Sequence, residues 1–298
     1  MKRVAFFGAS VTQQKSGYCR YFADYNTNFL VGNFGYGGMH LSDAGVAHID
    51  DVISFDPEYC FIDWFNTDDI KNGRFREIKE YLNTIICKLF DKRIKIIFLI
   101  FPDSNFLGKD EILKEITTYI DNFKIPIINL SNSFSDLELS KILRDAVHTT
   151  EYGSDRYARE ITDMFMEKYF CRYEIPTVYP QKNEYYYMKK LALNLEVQER
   201  IFFQGNCKVV GIEQSVGPYT GMIRVNGNTI NNWDRWCYYE RDMISTSFNV
   251  DSLAVIEVMQ DEFNRSACAH PCVWSKKKIL KTKTIYYIGE SLELVSYS

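Results

Sequence analysis

The chain has 298 residues, 46% of them hydrophobic and 25% charged, with a formal net charge of -4. That composition supports a full hydrophobic core and excludes a disordered or fibrous chain. The slightly acidic balance gives no electrostatic reason to bind nucleic acid, and the short basic run Lys276, Lys277, Lys278 reads as a solvated edge or turn.

The first element is KRVAFFGASVTQQ, residues 2–14. Residues 4–9 are small or apolar, and polar Thr12, Gln13, Gln14 and Lys15 follow Ser10 closely. A secretion signal needs about 7–15 apolar residues and a small-residue cleavage site. The stretch therefore reads as a short buried strand that delivers Ser10 at its tip. No later segment reaches the roughly 18 uninterrupted apolar residues of a spanning helix. The expectation is a cytoplasmic protein of bacterial type with no membrane span, its eight cysteines mostly reduced.

Further short apolar runs follow at 29–33, 59–64, 94–101 and 125–130. Between the third and fourth, residues 74–92 repeat Ile78, Tyr81, Leu82, Ile85, Ile86, Leu89 and Phe90 at three- and four-residue steps, which predicts an amphipathic helix. Residues 109–123 and 154–170 predict two more. Continuous apolar strands alternating with helices imply a parallel sheet covered on both faces, with ligands beyond the carboxyl ends of its strands. Ser10, Asn66 and Pro102 each fall just past such a strand.

After Pro176 the texture changes. Short strand-like runs at 208–212, 222–225, 253–258 and 284–288 are broken by Gly and Asn, and Asn226-Gly227 between apolar flanks is a hairpin signal. The organisation expected is an α/β domain over 1–172, a connector over 173–199 with a helix near 184–196, and a β-rich, sandwich-like accessory domain over 200–298. Cys268, His270 and Cys272 supply at most three metal ligands at an unusual spacing, with no second pair, so no metal is expected. The aromatic run from Trp233 to Tyr239 reads first as core of the small domain and second as a sugar-stacking surface.

Four segments carry the chemistry: Gly8-Ala9-Ser10-Val11-Thr12, then Asn33 to Gly38, then Asp63 to Asn66, then Asp145 to Gly153. A serine is a weak nucleophile until an imidazole accepts its proton, and the imidazole works best when a carboxylate fixes its tautomer. Asp145 and His148 stand three residues apart, so one turn brings carboxylate to imidazole. An oxyanion needs donors, and the N–H groups of Ser10 and Gly38 with the Asn66 amide are the candidates. Each feature alone is as readily structural: a cap at Ser10 or Asp145, an Asx-turn at Asn66. Their joint order in one α/β domain favours hydrolytic chemistry. Of the other histidines, His48 reads as a packing residue and His40 as a weaker candidate for lining the pocket.

These four segments resemble those of the SGNH, or GDSL-like, hydrolases, in the same order and across essentially the whole first domain. The resemblance implies a flavodoxin-like three-layer α/β/α sandwich. It also implies Ser10 as nucleophile, His148 as general base, Asp145 as its orienting acid, and Ser10, Gly38 and Asn66 as oxyanion donors, with no cofactor and no metal. Ala9 stands where the family often has Asp, Met39 where Asp is frequent, Phe65 where Gly is common and Thr149 where Pro often follows the histidine. None of these removes a catalytic group, though Phe65 is expected to reshape or narrow the acyl pocket. The expected activity is a serine esterase, foremost an O-acetyl esterase on a carbohydrate or related small ester. An O-acyltransferase modifying a glycan, and a non-catalytic glycan-binding protein on a hydrolase scaffold, are the alternatives.

Overall fold

A computed structural model of the chain describes residues 1–67, 75–104, 110–131, 133–232, 237–245, 247–260, 268–270 and 273–298. They divide into two units, Met1–Tyr186 and Tyr187–Ser298.

The first unit is built on five parallel strands: β1 Lys2–Gly8, β2 Phe29–Gly35, β3 Tyr59–Asp63, β4 Lys95–Ile100 and β5 Ile127–Asn129, in the order β2-β1-β3-β4-β5. The inner strands are apolar along their length because helices cover both faces. Val4, Ala5, Phe6 and Phe7 are fully buried, and so are the first four residues of β3. Successive side chains leave the sheet on opposite faces. Phe6 stacks on Phe61 at 4.8 Å and meets Tyr18 and Phe22 edge-on, both from helix α2 (Tyr18–Tyr25). Phe7 points the other way and meets Trp64 edge-on at 5.3 Å.

Helix α4 (Phe75–Asp91) buries Ile78, Leu82, Ile85, Ile86 and Leu89, the stripe read from the sequence. Each such side chain contributes about 1.5–3 kcal/mol relative to exposure, so one charge at Ile85 would undo the docking of the helix. The helix expected over 154–170 begins earlier, as α7 (Glu151–Met164), because the Thr150 hydroxyl accepts the Gly153 N–H at 3.0 Å. It ends in a wider turn over Phe165–Tyr169.

The second unit is an antiparallel sheet of seven strands: β6 Lys189–Val197, β7 Arg200–Val216, β8 Met222–Val225, β9 Asn228–Asn231, β10 Arg241–Ser245, β11 Phe248–Val258 and β12 Leu280–Tyr297. The long β7 pairs β11 along its first half and β10 along its second, while β12 runs beside it throughout. Four register shifts along β7 and β12 each add local twist, which coils the sheet around a core of Ile201, Phe203, Val209, Val250, Ile256 and Ile285. The expected hairpin is present: Asn226 (φ 47°) and Gly227 (φ 85°) join β8 to β9 with the two positive φ values of a type I′ turn.

The helix expected near 184–196 is not formed. A short turn at Glu184–Tyr187 leads into β6, which pairs with β12 from Lys189↔Tyr287 to Val197↔Leu280. Leu191, Leu193 and Leu195 alternate onto the second core, and that burial overrides the helix preference of the Lys, Leu, Ala and Glu around them. Among the described residues no helix is long and apolar enough to cross a membrane.

Candidate active site

The strand order reverses between β1 and β3, and that switch point is where an open α/β sheet offers a crevice at its carboxyl end. Ala9 leaves β1 with its N–H donating to the Asp63 carbonyl at 3.1 Å, and Ser10 opens a single helical turn, α1 (Ser10–Gln13). The serine is thereby carried at the carboxyl tip of β1, beside the switch point.

His148 arrives from the loop before α7. Its Nε2 lies 2.8 Å from Ser10 Oγ, and its Nδ1 lies 2.9 Å from Asp145 Oδ2. A carboxylate only accepts, so Nδ1 carries the ring proton and Nε2 of the neutral ring is left to accept from the serine hydroxyl. Asp145 Oδ1 also accepts the N–H groups of Val147 at 3.0 Å and His148 at 2.8 Å, which closes the loop into a tight turn. Partial burial would raise the Asp145 carboxyl, but the His148 and Val147 N–H groups and the imidazole outweigh it and hold the group below its ordinary value. The loop is pinned by the Arg144 N–H on the His148 carbonyl at 2.9 Å and by the Ser104 N–H on the Ala146 carbonyl at 2.9 Å. The side chains of His148 and Asp145 are 28% and 50% exposed, so water reaches this end of the array.

The candidate oxyanion groups come from two further loops. After β2, the Tyr36 N–H donates to the Gly8 carbonyl at 2.9 Å, and the Met39 N–H to the Tyr36 carbonyl at 3.4 Å. Gly38 sits at φ 73° in this turn, a conformation that only glycine adopts without strain. Its neighbour Gly37 makes the close approach: a Cβ there would stand 3.7 Å from Ser10 Cβ and collide with Gln13 Oε1. Spacing alone did not single out Gly37. Asn66, just past β3, has a buried Nδ2 with no hydrogen-bond partner among the described residues. Such a donor costs about 1–3 kcal/mol unsatisfied, which is the condition of a group awaiting an acceptor.

Phe65, expected to reshape or narrow the acyl pocket, is 2% exposed and packs on Phe98 at 5.5 Å. His48 is the packing residue expected, stacked on Tyr36 at 4.3 Å with Nδ1 2.9 Å from Asp51. His40 caps the turn Leu41–Gly45 together with Asp43. His270 meets the Tyr238 ring edge-on at 4.8 Å. Cys272 and Trp233 to Trp236 lie outside the described residues, among which no cluster of His, Cys, Asp or Glu is placed to hold a metal.

Two residues that the motif reading passed over complete the surroundings of the serine. Asp63 ends β3 at 2% exposure, and its Oδ2 accepts the Thr12 hydroxyl at 3.0 Å, while Thr12 and Tyr18 hydroxyls lie 2.8 Å apart. Burial pushes the Asp63 carboxyl up to about 7, with the Thr12 bond opposing. A lone Asp closing the apolar run Cys60-Phe61-Ile62 was the available signal. The second is Gln14, whose side-chain amide meets the backbone of Thr149 on both its donor and its acceptor side.

No protein-family model matches the sequence, and no curated protein does. Solved structures do. A two-domain esterase active on acetylated mannans is similar over 97% of this chain and 92% of its own, at 14% identity and a TM-score of 0.66. The chain shares its two-domain fold with that esterase. The same esterase co-crystallised with mannopentaose is similar to the same degree, with 14% identity, 97% of this chain and 91% of its own, and a TM-score of 0.66. A lipolytic protein of the G-D-S-L family from Veillonella parvula is similar over 56% of this chain and 100% of its own, at 18% identity and a TM-score of 0.47. The expected flavodoxin-like parallel sheet followed by a β-rich domain is thus the architecture found.

Proposed function

We propose that the protein is a serine esterase that removes acetyl groups from a carbohydrate through an acyl-enzyme. The observation that carries this is the continuous line from Ser10 Oγ through the His148 imidazole to Asp145, with spacings of 2.8 and 2.9 Å. His148 Nε2 takes the hydroxyl proton as Ser10 Oγ bonds to the ester carbonyl carbon. The carbonyl oxygen becomes an oxyanion and accepts from the Ser10 N–H, the Gly38 N–H and Asn66 Nδ2. The intermediate collapses, the C–O bond to the sugar breaks, and His148 returns the proton to the leaving alkoxide. Water, deprotonated by His148, then attacks the acyl-enzyme and releases acetate and free Ser10. Each oxyanion donor contributes about 10²–10³ in kcat.

The sugar ester is favoured over other small esters by the shared two-domain fold with an esterase active on acetylated mannans. The transferase alternative differs only in the acyl acceptor, a glycan hydroxyl in place of water.

The test is hydrolysis of p-nitrophenyl acetate and of acetylated mannan by wild type beside Ser10→Ala. Turnover in the first and its loss in the second is expected. Glycan binding equal in both proteins, with turnover in neither, would instead identify a binding protein on a hydrolase scaffold. Acyl transfer outrunning hydrolysis when glycan acceptors are added would identify a transferase.

A further inference from the structure

We propose that Gln14 is a positioning residue that sets the distance between Ser10 and His148, a role that rests on the esterase reading above. Gln14 follows directly on the turn Ser10–Gln13, and Thr149 follows directly on His148. The Gln14 amide nitrogen donates to the Thr149 carbonyl at 3.1 Å, and its oxygen accepts both the Thr149 N–H and the Thr149 hydroxyl at 3.2 Å each. The two backbone bonds define which end of the amide is which, so the side chain is locked in one orientation.

Thr149 is itself held. It is 2% exposed, its hydroxyl lies 2.6 Å from Ser154 Oγ on α7, and it bridges Leu143 through the backbone. Gln14 therefore fastens the nucleophile's turn to a point that is rigid within the histidine loop. The nucleophile and base lie 138 residues apart in the chain and belong to different loops. A displacement of about 1 Å between such groups costs on the order of 10²-fold in rate. A clamp from the residue after the nucleophile's turn to the residue after the base removes the rigid-body freedom that would allow it. The primary amide is suited to this, because it offers one donor and one acceptor in a plane that matches a peptide group.

The test compares wild type, Gln14→Met and Gln14→Glu for kcat and KM on p-nitrophenyl acetate, thermal midpoint, and rate of inactivation by a serine-directed fluorophosphonate. Gln14→Met keeps the length and removes all three bonds. We expect kcat and the inactivation rate to fall about 10–100-fold with KM within about 2-fold. Gln14→Glu keeps the acceptor, while its donor exists only when the carboxyl is protonated. Its kcat relative to wild type should rise as pH falls from about 7 to about 4, the range in which a glutamate takes up its proton. A purely structural glutamine would lower the thermal midpoint without this pH-dependent recovery. A folded Gln14→Met with wild-type kcat overturns the proposal. Should Gln14→Met not fold, a Gln14→Glu ratio flat with pH overturns it equally. A wild type inert to both the ester and the fluorophosphonate overturns the esterase reading itself, and the clamp with it.

Discussion

His148 Nε2 stands 2.8 Å from Ser10 Oγ although 138 residues separate the two in the chain. On the proposed mechanism neither group works alone, for the hydroxyl needs the base, and without the serine the base has no acyl-enzyme on which to direct water. Ser10→Ala and His148→Ala should therefore each lower kcat on p-nitrophenyl acetate by about 10⁴-fold or more. The double variant should lose no more than the worse single one. Losses that multiply in the double variant would count against a shared step.

Asp145 makes a sharper prediction. Asn in its place presents an N–H or a carbonyl to His148 Nδ1. With the N–H inward, the ring proton is driven to Nε2, which then cannot accept from Ser10. Asp145→Asn should lower kcat by about 10²–10⁴-fold with little change in KM. The wild-type carboxyl, held below its ordinary value by the His148 and Val147 N–H groups, stays ionised until the solution is strongly acid. A pH–rate profile whose acid limb moves in Asp145→Asn would locate the effect in the imidazole.

Asn66 should separate activity from stability. Its Nδ2 is buried without a partner among the described residues, so truncation removes a desolvated donor that gives the resting fold nothing. Asn66→Ala should lose about 10²-fold in kcat while its thermal midpoint stays level or rises. Parallel falls in both would show that the amide has a structural partner.

Asp63 links stability to pH with a definite sign. Its carboxyl is raised from 3.8 to about 7 by burial, so the folded chain holds a proton that the unfolded chain gives up. The stabilisation is complete below about pH 4 and is lost as pH rises through about 7, on the order of 4 kcal/mol in all. Asp63→Asn keeps a neutral group that accepts from Thr12 and should flatten this slope. The check is urea unfolding at several pH values between 4 and 8; equal slopes in the two proteins would place the proton elsewhere.

The parallel sheet and its order of strands and helices were readable because every inner strand is buried on both sides and therefore continuously apolar. The three segments that carry Ser10, Asn66, and Asp145 with His148 were readable because hydrolytic chemistry would need those particular side chains. Lys189–Val197 was misread because its period-two leucines lie among helix formers, and only pairing with β12 decides between the two periods. Gln14 left no trace in the sequence, since its partner is the backbone of Thr149, which any residue type but proline supplies. Gly37 was overshadowed by Gly38 because the two differ only in where the turn points them.

The long interval between nucleophile and base also bears on synthesis. At about 5–20 residues per second, Ser10 leaves the ribosome on the order of ten seconds before the histidine that would activate it. Through that interval it is an ordinary hydroxyl, unable to acylate itself on passing esters. On the proposed mechanism, reactivity would begin only when the loop at Asp145 closes on a finished sheet, and the order of translation would shield the growing chain from its own chemistry.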